Sequence, residues 1–263
     1  MLSIIKADLQ RIFRNKGIYY TIGAFIVFQI LNAMQFNAIA SRNETTWAMD
    51  LLGETQLTGS IMPLVFMSDN LTTIYFMIPL LIIIITSDFS VGSIKNLLST
   101  GVSRMKYFCA KFTLMLLFLL TIVLLNIVIP TMLITFLQGF GRMFDTAYLL
   151  EILPPILFHI FAMVSVMSVG ICFGFIFKKS SITLGAFLAF VSIPSMIVFY
   201  LSLLTDINVD RMARFEIISL LETIPNFVNL YASEVRQIVL ISSFWLIISV
   251  VSSVFLFKKA DIK

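Results

Sequence analysis

Six apolar stretches run through the chain, separated by more polar segments. Their approximate bounds are 17–40, 61–86, 112–137, 152–177, 182–204 and 237–257. An α-helix rises 1.5 Å per residue, so about 20 apolar residues cross the ~30 Å hydrocarbon core of a bilayer. The second stretch is the weakest, because Ser68-Asp69-Asn70 interrupts it and Pro63 and Pro79 bend it. The pattern predicts an all-α polytopic membrane protein with six transmembrane helices.

Two of the polar segments have helical patterns of their own. In residues 1–16, apolar and basic positions recur at helical spacing, as in an amphipathic interfacial helix that lies in the lipid headgroup plane. Its apolar positions are Leu2, Ile5, Leu9, Ile12 and Phe13. In the long connection 205–236, apolar residues alternate with charged ones up to Pro225. That second pattern predicts either a short re-entrant or interfacial helix or a solvated loop helix.

The composition requires lipid as the main solvent of this chain. Hydrophobic residues make up 59% of the 263 and charged residues 12%, against about a quarter charged in soluble domains. Thirteen of the eighteen basic residues fall in the segments on one side of the predicted spans. Basic residues concentrate in cytoplasmic loops. We therefore expect both termini, the 87–111 loop and the 178–181 turn in the cytoplasm, with 205–236 as an outer loop.

The sequence contains no motif for catalysis or for metal binding. It lacks the GxxxxGK[ST] phosphate loop of ATPases and the HExxH and GxSxG motifs, so we expect no enzyme activity and no cofactor on this chain. Cys109 and Cys172 match no metal-site spacing, and no metal site is predicted. His159 is the only histidine and lies in the fourth span. It either lines a pathway and relays protons or, the interpretation we favour, bonds to a neighbouring helix.

A few other polar side chains fall inside the predicted spans. Gln29, Asn32 and Gln35 lie three residues apart in the first span, Asn126 lies in the third, and Asp69 is near the outer end of the second. Together with the histidine they form a candidate translocation path. Hydrogen bonds between helices explain the amides as well, and we favour that interpretation slightly.

Small residues at four-residue spacing mark possible close contacts between helices. Gly170 and Gly174 form a GxxxG motif in the fourth span, and Gly185 with Ala189 forms a similar pair in the fifth. Such pairs let two helix backbones approach each other closely. The spacing is equally compatible with packing inside one chain and with dimerisation.

The 87–111 loop contains a short helical segment with an apolar face. It begins Asp88-Phe89-Ser90-Val91-Gly92-Ser93-Ile94-Lys95-Asn96-Leu97-Leu98. Ser93 is a suitable helix N-cap and Gly101 a suitable stop, while Ile94, Leu97 and Leu98 share one face. Nothing in the chain is obviously placed to cover that face. Exposed apolar faces usually mark docking sites, and the alternative is that this one rests on the membrane.

This segment, continued by Ser103-Arg104 and Lys111, resembles the cytoplasmic loop of ABC-2 type transporter permeases. The resemblance covers the whole chain, including the amphipathic N-terminal helix, the six spans and a larger last outer loop. Ser93 stands where threonine is commoner, and Gly101 stands where many members have proline. The form of the loop is most similar to small bacterial permeases tied to bacteriocin, lantibiotic or other peptide export and self-protection.

The resemblance implies that residues 1–263 form a single ABC-2 type transmembrane domain with 87–111 as its coupling loop. Ile94, Leu97 and Leu98 would be the docking face, with Arg104 and Lys111 as supporting charges. They would seat in a cleft of a separate ABC ATPase subunit, which binds ATP and Mg. A second permease chain, identical or a paralogue, would complete the unit, with the pathway at the interface between the two and the first, second and fifth spans beside it.

The sequence thus predicts the permease subunit of an ATP-driven exporter that moves an amphipathic peptide across a bacterial plasma membrane. Two alternatives stay open, a membrane sensor or immunity protein that does not transport and an ion-coupled secondary carrier. The expected partners are the ATPase subunit, the second permease and membrane lipid, and no nucleic acid.

Overall fold

The computed structural model describes residues 2–40, 57–90, 94, 99, 101–204, 216–225 and 230–259. All regular secondary structure in these residues is helical. The α-helices are α1 Leu2–Arg14, α2 Lys16–Ala40, α3 Met62–Ser68, α4 Asn70–Leu81, α5 Ser87–Ser90, α6 Arg104–Gln138, α7 Thr146–Phe177, α8 Ser180–Leu204, α9 Ile217–Thr223 and α10 Ala232–Lys259, and a π-helical turn Ile82–Thr86 joins α4 to α5.

Six helical segments are long and apolar enough to cross a membrane. They are Lys16–Ala38, Asn70–Phe89, Arg104–Gln138, Thr146–Phe177, Ser180–Leu201 and Ala232–Lys258. The predicted all-α fold with six spans is confirmed. Which side of the membrane each end faces stays a prediction.

The second span is broken where the sequence interrupts it. α3 ends at Ser68 and α4 begins at Asn70, and Asp69 between them has φ −83° and ψ 60°, outside the helical region. Every residue from 57 to 67 is buried, packed against α2, α6 and α7. Irregular backbone at membrane depth is tolerated only where protein or a polar cavity surrounds it. The shielding of α3 meets that requirement.

Two spans begin earlier than the hydropathy pattern suggests. α6 starts at Arg104, not near 112, with the Ser103 hydroxyl accepting from the Lys106 backbone N–H at 3.3 Å. α7 starts at Thr146, not near 152, and is capped by Asp145 in the same way. The last part of the predicted 87–111 loop is therefore helical from Arg104 onwards. Charged residues do not break a helix, and the 35 residues of α6 rise about 52 Å, well beyond the ~30 Å hydrocarbon core.

α7 is the central helix, and its GxxxG motif packs within the chain. It contacts α3, α4, α6, α8, α9 and α10. A Cβ placed on Gly170 would come within 2.4 Å of Leu81 Cδ1, and one on Gly174 within 2.8 Å of Ile85 Cγ2. These two glycines therefore allow the second span to lie directly against α7. Gly185, by contrast, has no atom of the described residues within 4 Å of a Cβ placed on it.

Candidate functional site

Five polar side chains from three helices meet at the end of the bundle where α1 lies. Asp8 and Arg11 come from α1, Asp88 from α5, and Tyr107 and Lys111 from α6. Each pair is three or four residues apart in its helix, so its two members share one face. Asp8 lies between Ile4 and Ile12 on the buried face of α1. We call this set the ion cluster.

Lys111 is the centre of the ion cluster. Its Nζ lies 2.8 Å from Asp8 Oδ2 and 2.6 Å from Asp88 Oδ2, and its side chain is fully buried. The Tyr107 hydroxyl donates to Asp88 Oδ2 at 2.7 Å. Arg11 pairs with Asp8 at 3.2 Å and donates a hydrogen bond to Asp88. Two carboxylates thus face two cations, and the cluster carries no net charge.

The surroundings make this neutrality necessary. Phe175 of α7 and Phe257 of α10 pack against the Tyr107 ring, with centroids 6.2 and 5.7 Å away. Aromatic packing of this kind excludes water, and an unpaired charge left in such a site is strongly unfavourable. Burial alone would lower the pKa of Arg11, but its hydrogen bond to Asp88 and the charges of Asp88 and Asp8 outweigh that effect and raise the pKa. Arg11 therefore stays a cation.

A second contact ties the start of α6 to the end of α10. Arg104 Nη1 donates to the backbone carbonyls of Phe257 at 2.9 Å and Lys258 at 2.5 Å. The last carbonyls of a helix lack partners within the helix and carry partial negative charge, so a guanidinium there is favourable. The contact also places the described start and end of the chain at the same end of the bundle, as the predicted topology requires.

The predicted docking residues differ in burial and in the contacts they make in the structure. Ile94 is helical, 3% exposed and part of the main hydrophobic core, so the expectation of an uncovered apolar face is wrong for this residue. Asp88 and Lys111 are inside the ion cluster, and Lys111 therefore cannot present its charge at a surface. Arg104 contacts the end of α10, as described above. The other predicted docking residues lie outside the described residues; they are Gly92, Ser93, Lys95, Asn96, Leu97 and Leu98. Gly101 adopts φ +85°, a conformation that suits the expected stop.

Two of the intramembrane amides form one hydrogen-bond chain. Gln29 Nε2 donates to Asn126 Oδ1 at 2.7 Å, and Asn126 Nδ2 donates to the Phe66 carbonyl at 2.9 Å. Phe66 lies in the last turn of α3, just before the break at Asp69. This series of hydrogen bonds links the first and third spans to the broken second span. This geometry supports the interpretation of Gln29 and Asn126 as packing residues.

The other predicted pathway residues do not join this contact. Asn32 is half-buried and Gln35 is exposed. The amide side chains of α2 therefore do not all face the interior of the bundle. Asp69 is half-buried at the helix break, where its backbone carbonyl accepts from Thr73 Oγ1 at 3.5 Å. His159 is fully buried, and neither ring nitrogen has a hydrogen-bond partner in the part of the chain that the structure describes. The bond to a neighbouring helix that we favoured for it is not observed there.

Sequence reasoning missed Asp8, Arg11 and Tyr107 as members of a site. A usable signal was present, because Asp8 interrupts the apolar face Ile4–Ile12 of a helix that is otherwise basic. An acid on the apolar face of an amphipathic helix requires a buried partner. The residue that supplies it, Lys111, could not be identified without the tertiary structure.

These features define a multi-pass helical membrane protein whose N-terminal amphipathic helix is joined to two spans through buried charges. The model of the ABC-2 family transporter proteins matches residues 4–195. The match runs from α1 into α8 and includes the whole ion cluster, and the chain belongs to this family. The family is one of permease domains, which work with ABC ATPases in general. A search of curated proteins found no significant match to the chain.

Proposed function

We propose that this chain is the permease subunit of an ATP-driven exporter, which moves an amphipathic peptide of the bacteriocin, lantibiotic or toxin type out of the cell or the membrane. The observation that carries the proposal is the ion cluster. Its members flank the coupling loop, with Asp88 on one side and Tyr107 and Lys111 on the other. α1 completes it. A displacement of the loop would therefore act on three helices together.

The proposed mechanism begins at the partner subunit, which binds ATP and Mg. Closure of that ATPase would push on the loop through Leu97 and Leu98. Moving Asp88 away from both Lys111 and Arg11 would leave its carboxylate buried without a cation, at a cost of about 3–5 kcal/mol. The loop, α5 and the start of α6 would therefore move as one body and carry α1 along. Arg104 extends this body to the end of α10.

The second permease chain is assigned to the exposed face of α2 and α4. A groove of about 380 Å³ lies there, lined by Tyr20, Thr21, Ala24, Tyr75, Phe76 and Pro79. Val27 and Leu31 continue the exposed face along α2. These residues belong to the first and second spans, which are among those proposed to border the pathway. Whether an identical chain or a paralogue covers the face, the interface would use this surface.

The proposal is tested by co-purification after gentle solubilisation of membranes that contain the native partners. We expect a stoichiometric ABC ATPase with vanadate-sensitive ATP hydrolysis. Leu97→Asp should lower the co-purified ATPase at least tenfold, because a charge replaces an apolar docking side chain, while the amount of permease in the membrane stays constant. Met143→Asp is the matched control, since Met143 is 84% exposed at the opposite end of the bundle, and it should keep the ATPase. Full association and transport in Leu97→Asp would contradict the docking role.

A further inference from the structure

A cavity of about 340 Å³ lies between α8, α9 and α10, away from the ion cluster and from the α2 groove. Its walls are apolar and aromatic, and they include Phe190, Pro194, Ile197, Ile218 and Trp245. Glu216, directly before α9, is the one titratable group among the described residues that line it. It opens at the surface of the bundle, where Ile197 is 53% exposed. Its volume lies at the lower end of the range for small-molecule sites.

The Glu216 carboxylate is held in place on both oxygens. Ser195 of α8 donates a hydroxyl hydrogen bond to Oε1 at 2.5 Å, and Ser219 of α9 donates one to Oε2 at 2.8 Å. The whole residue is only 9% exposed. Both oxygens of an ionised carboxylate accept hydrogen bonds, and the two serine hydroxyls meet that need. The two serines therefore fix a negative charge at the wall of an apolar cavity.

Nothing in the described part of the chain pairs a basic side chain with this carboxylate. The described ion pairs involve Asp8, Asp88 and Glu151, and none involves Glu216. Burial and the negative charge of Glu216 also raise the pKa of the nearby carboxyl group of Glu222. A buried carboxylate without a cation is unfavourable. Among the described residues, therefore, the cavity has no basic group opposite Glu216, and a ligand could supply one.

The aromatic lining of the cavity also suits a ligand that carries a positive charge. Trp245 and Phe190 pack edge to face with centroids 5.0 Å apart, and both line the cavity. Aromatic rings attract cations and also pack against apolar groups. We propose that this cavity is a binding site for a hydrophobic monocation, an amine or guanidinium attached to a compact aromatic or branched aliphatic group. The cation would pair with Glu216, and the apolar part would lie against Trp245 and Phe190.

The test uses Trp245 as a reporter inside the site. The chain has two tryptophans, and Trp47→Phe leaves Trp245 as the only one. The purified permease in a non-ionic detergent is titrated at pH 7 with phenethylamine, a cation at that pH, and with its uncharged analogue 2-phenylethanol. Tryptophan fluorescence is excited where neither compound absorbs. No ATPase or ATP is present, so the outcome does not depend on the proposed export function.

We expect a saturable change with phenethylamine and at least tenfold weaker binding of 2-phenylethanol. Glu216→Gln should weaken phenethylamine binding at least tenfold, whereas Glu151→Gln on α7 should leave it unchanged, since Glu151 does not line the cavity and pairs with Arg142. If Glu216→Gln does not purify as a folded protein, Ile197→Trp tests the proposal instead. The larger side chain fills the cavity from its exposed side and should abolish binding. Ile197→Phe is a second blocking variant, used where the fluorescence of the new tryptophan obscures the signal of Trp245. Equal saturable binding of the two compounds, no saturable response at all, or unimpaired binding with the cavity filled would overturn the proposal.

Discussion

Lys111 shows how far a single residue can depart from the role that its place in the sequence suggests. Its position at the end of a basic loop predicts a surface charge, yet its side chain is fully buried between Asp8 and Asp88. The reason is the early start of α6. Once the helix begins at Arg104, Tyr107 and Lys111 lie on the same inward face, and the ammonium group points towards two carboxylates.

The charge balance of the ion cluster gives a prediction at this scale. Lys111→Met leaves an excess negative charge in the buried cluster, and we expect a loss of about 3–5 kcal/mol in the free energy of unfolding. The double variant Lys111→Met with Asp8→Asn leaves Arg11 and Asp88 as a balanced pair and should recover most of that loss. Thermal unfolding of the detergent-purified proteins, followed by size-exclusion chromatography, measures both.

Lys106→Met is the control for this comparison. Lys106 is an exposed lysine on the same helix, so its removal should change stability by less than about 0.5 kcal/mol. If Lys111→Met were as stable as Lys106→Met, the ion cluster would not hold α1 to the bundle.

At the scale of helices, the close approach of α7 and the second span depends on two glycines. The second span is irregular, since it is broken at Asp69 and contains Pro79 and a π-helical turn. It keeps its place because α7 presents a flat surface at Gly170 and Gly174, where Leu81 and Ile85 lie. The GxxxG motif is therefore explained by packing within the chain.

Gly174→Leu should separate these two elements. The new Cβ alone would lie 2.8 Å from Ile85 Cγ2, so the helices must move apart, and we expect a destabilisation of about 1–3 kcal/mol. Gly185→Leu on α8 is the matched control, because nothing lies within 4 Å of a Cβ there. The melting temperatures of the two variants in detergent give the comparison. Equal melting temperatures would argue against tight packing at Gly174.

The sequence predicts these elements well where the signal is local. Hydropathy identifies six spans, the Ser68-Asp69-Asn70 interruption identifies the break, and helical spacing identifies α1. Prediction from the sequence fails where the result depends on the direction in which a side chain points in the folded protein. A hydropathy window treats Arg104 to Lys111 as loop although the backbone is helical, and Ile94 appears uncovered although the rest of the chain buries it. Asp88 and Lys111 are predicted as docking residues, whereas the ion cluster in which they lie takes Asp8 and Arg11 from the distant N-terminal helix.

At the scale of the whole molecule, both described chain ends lie at one end of the bundle. Arg104 binds the carbonyls near the end of α10, and Lys111 binds Asp8 near the start of α1. An even number of spans requires this arrangement. The distribution of basic residues assigns that end to the cytoplasm, and Met143 then lies outside.

This topology is tested with single cysteines in a chain whose Cys109 and Cys172 are replaced by serine. Met143→Cys should react with a membrane-impermeant maleimide added to intact cells, because Met143 is 84% exposed. Lys6→Cys, also exposed, should react only after the cells are permeabilised. Labelling of Lys6→Cys in intact cells would reverse the assignment.

The ion cluster can form only after the last of its residues has been synthesised. α1 is the first helix to leave the ribosome, yet Asp88 follows Arg11 by 77 residues, and Lys111 comes later still. At about 5–20 residues per second, roughly 4–15 s pass before Asp88 has been made. During that interval the Asp8 carboxylate has none of its later partners except Arg11 on the same helix. The amphipathic and basic character of α1 predicts an early use, because a basic amphipathic helix binds a lipid surface while the rest of its binding site is still being translated.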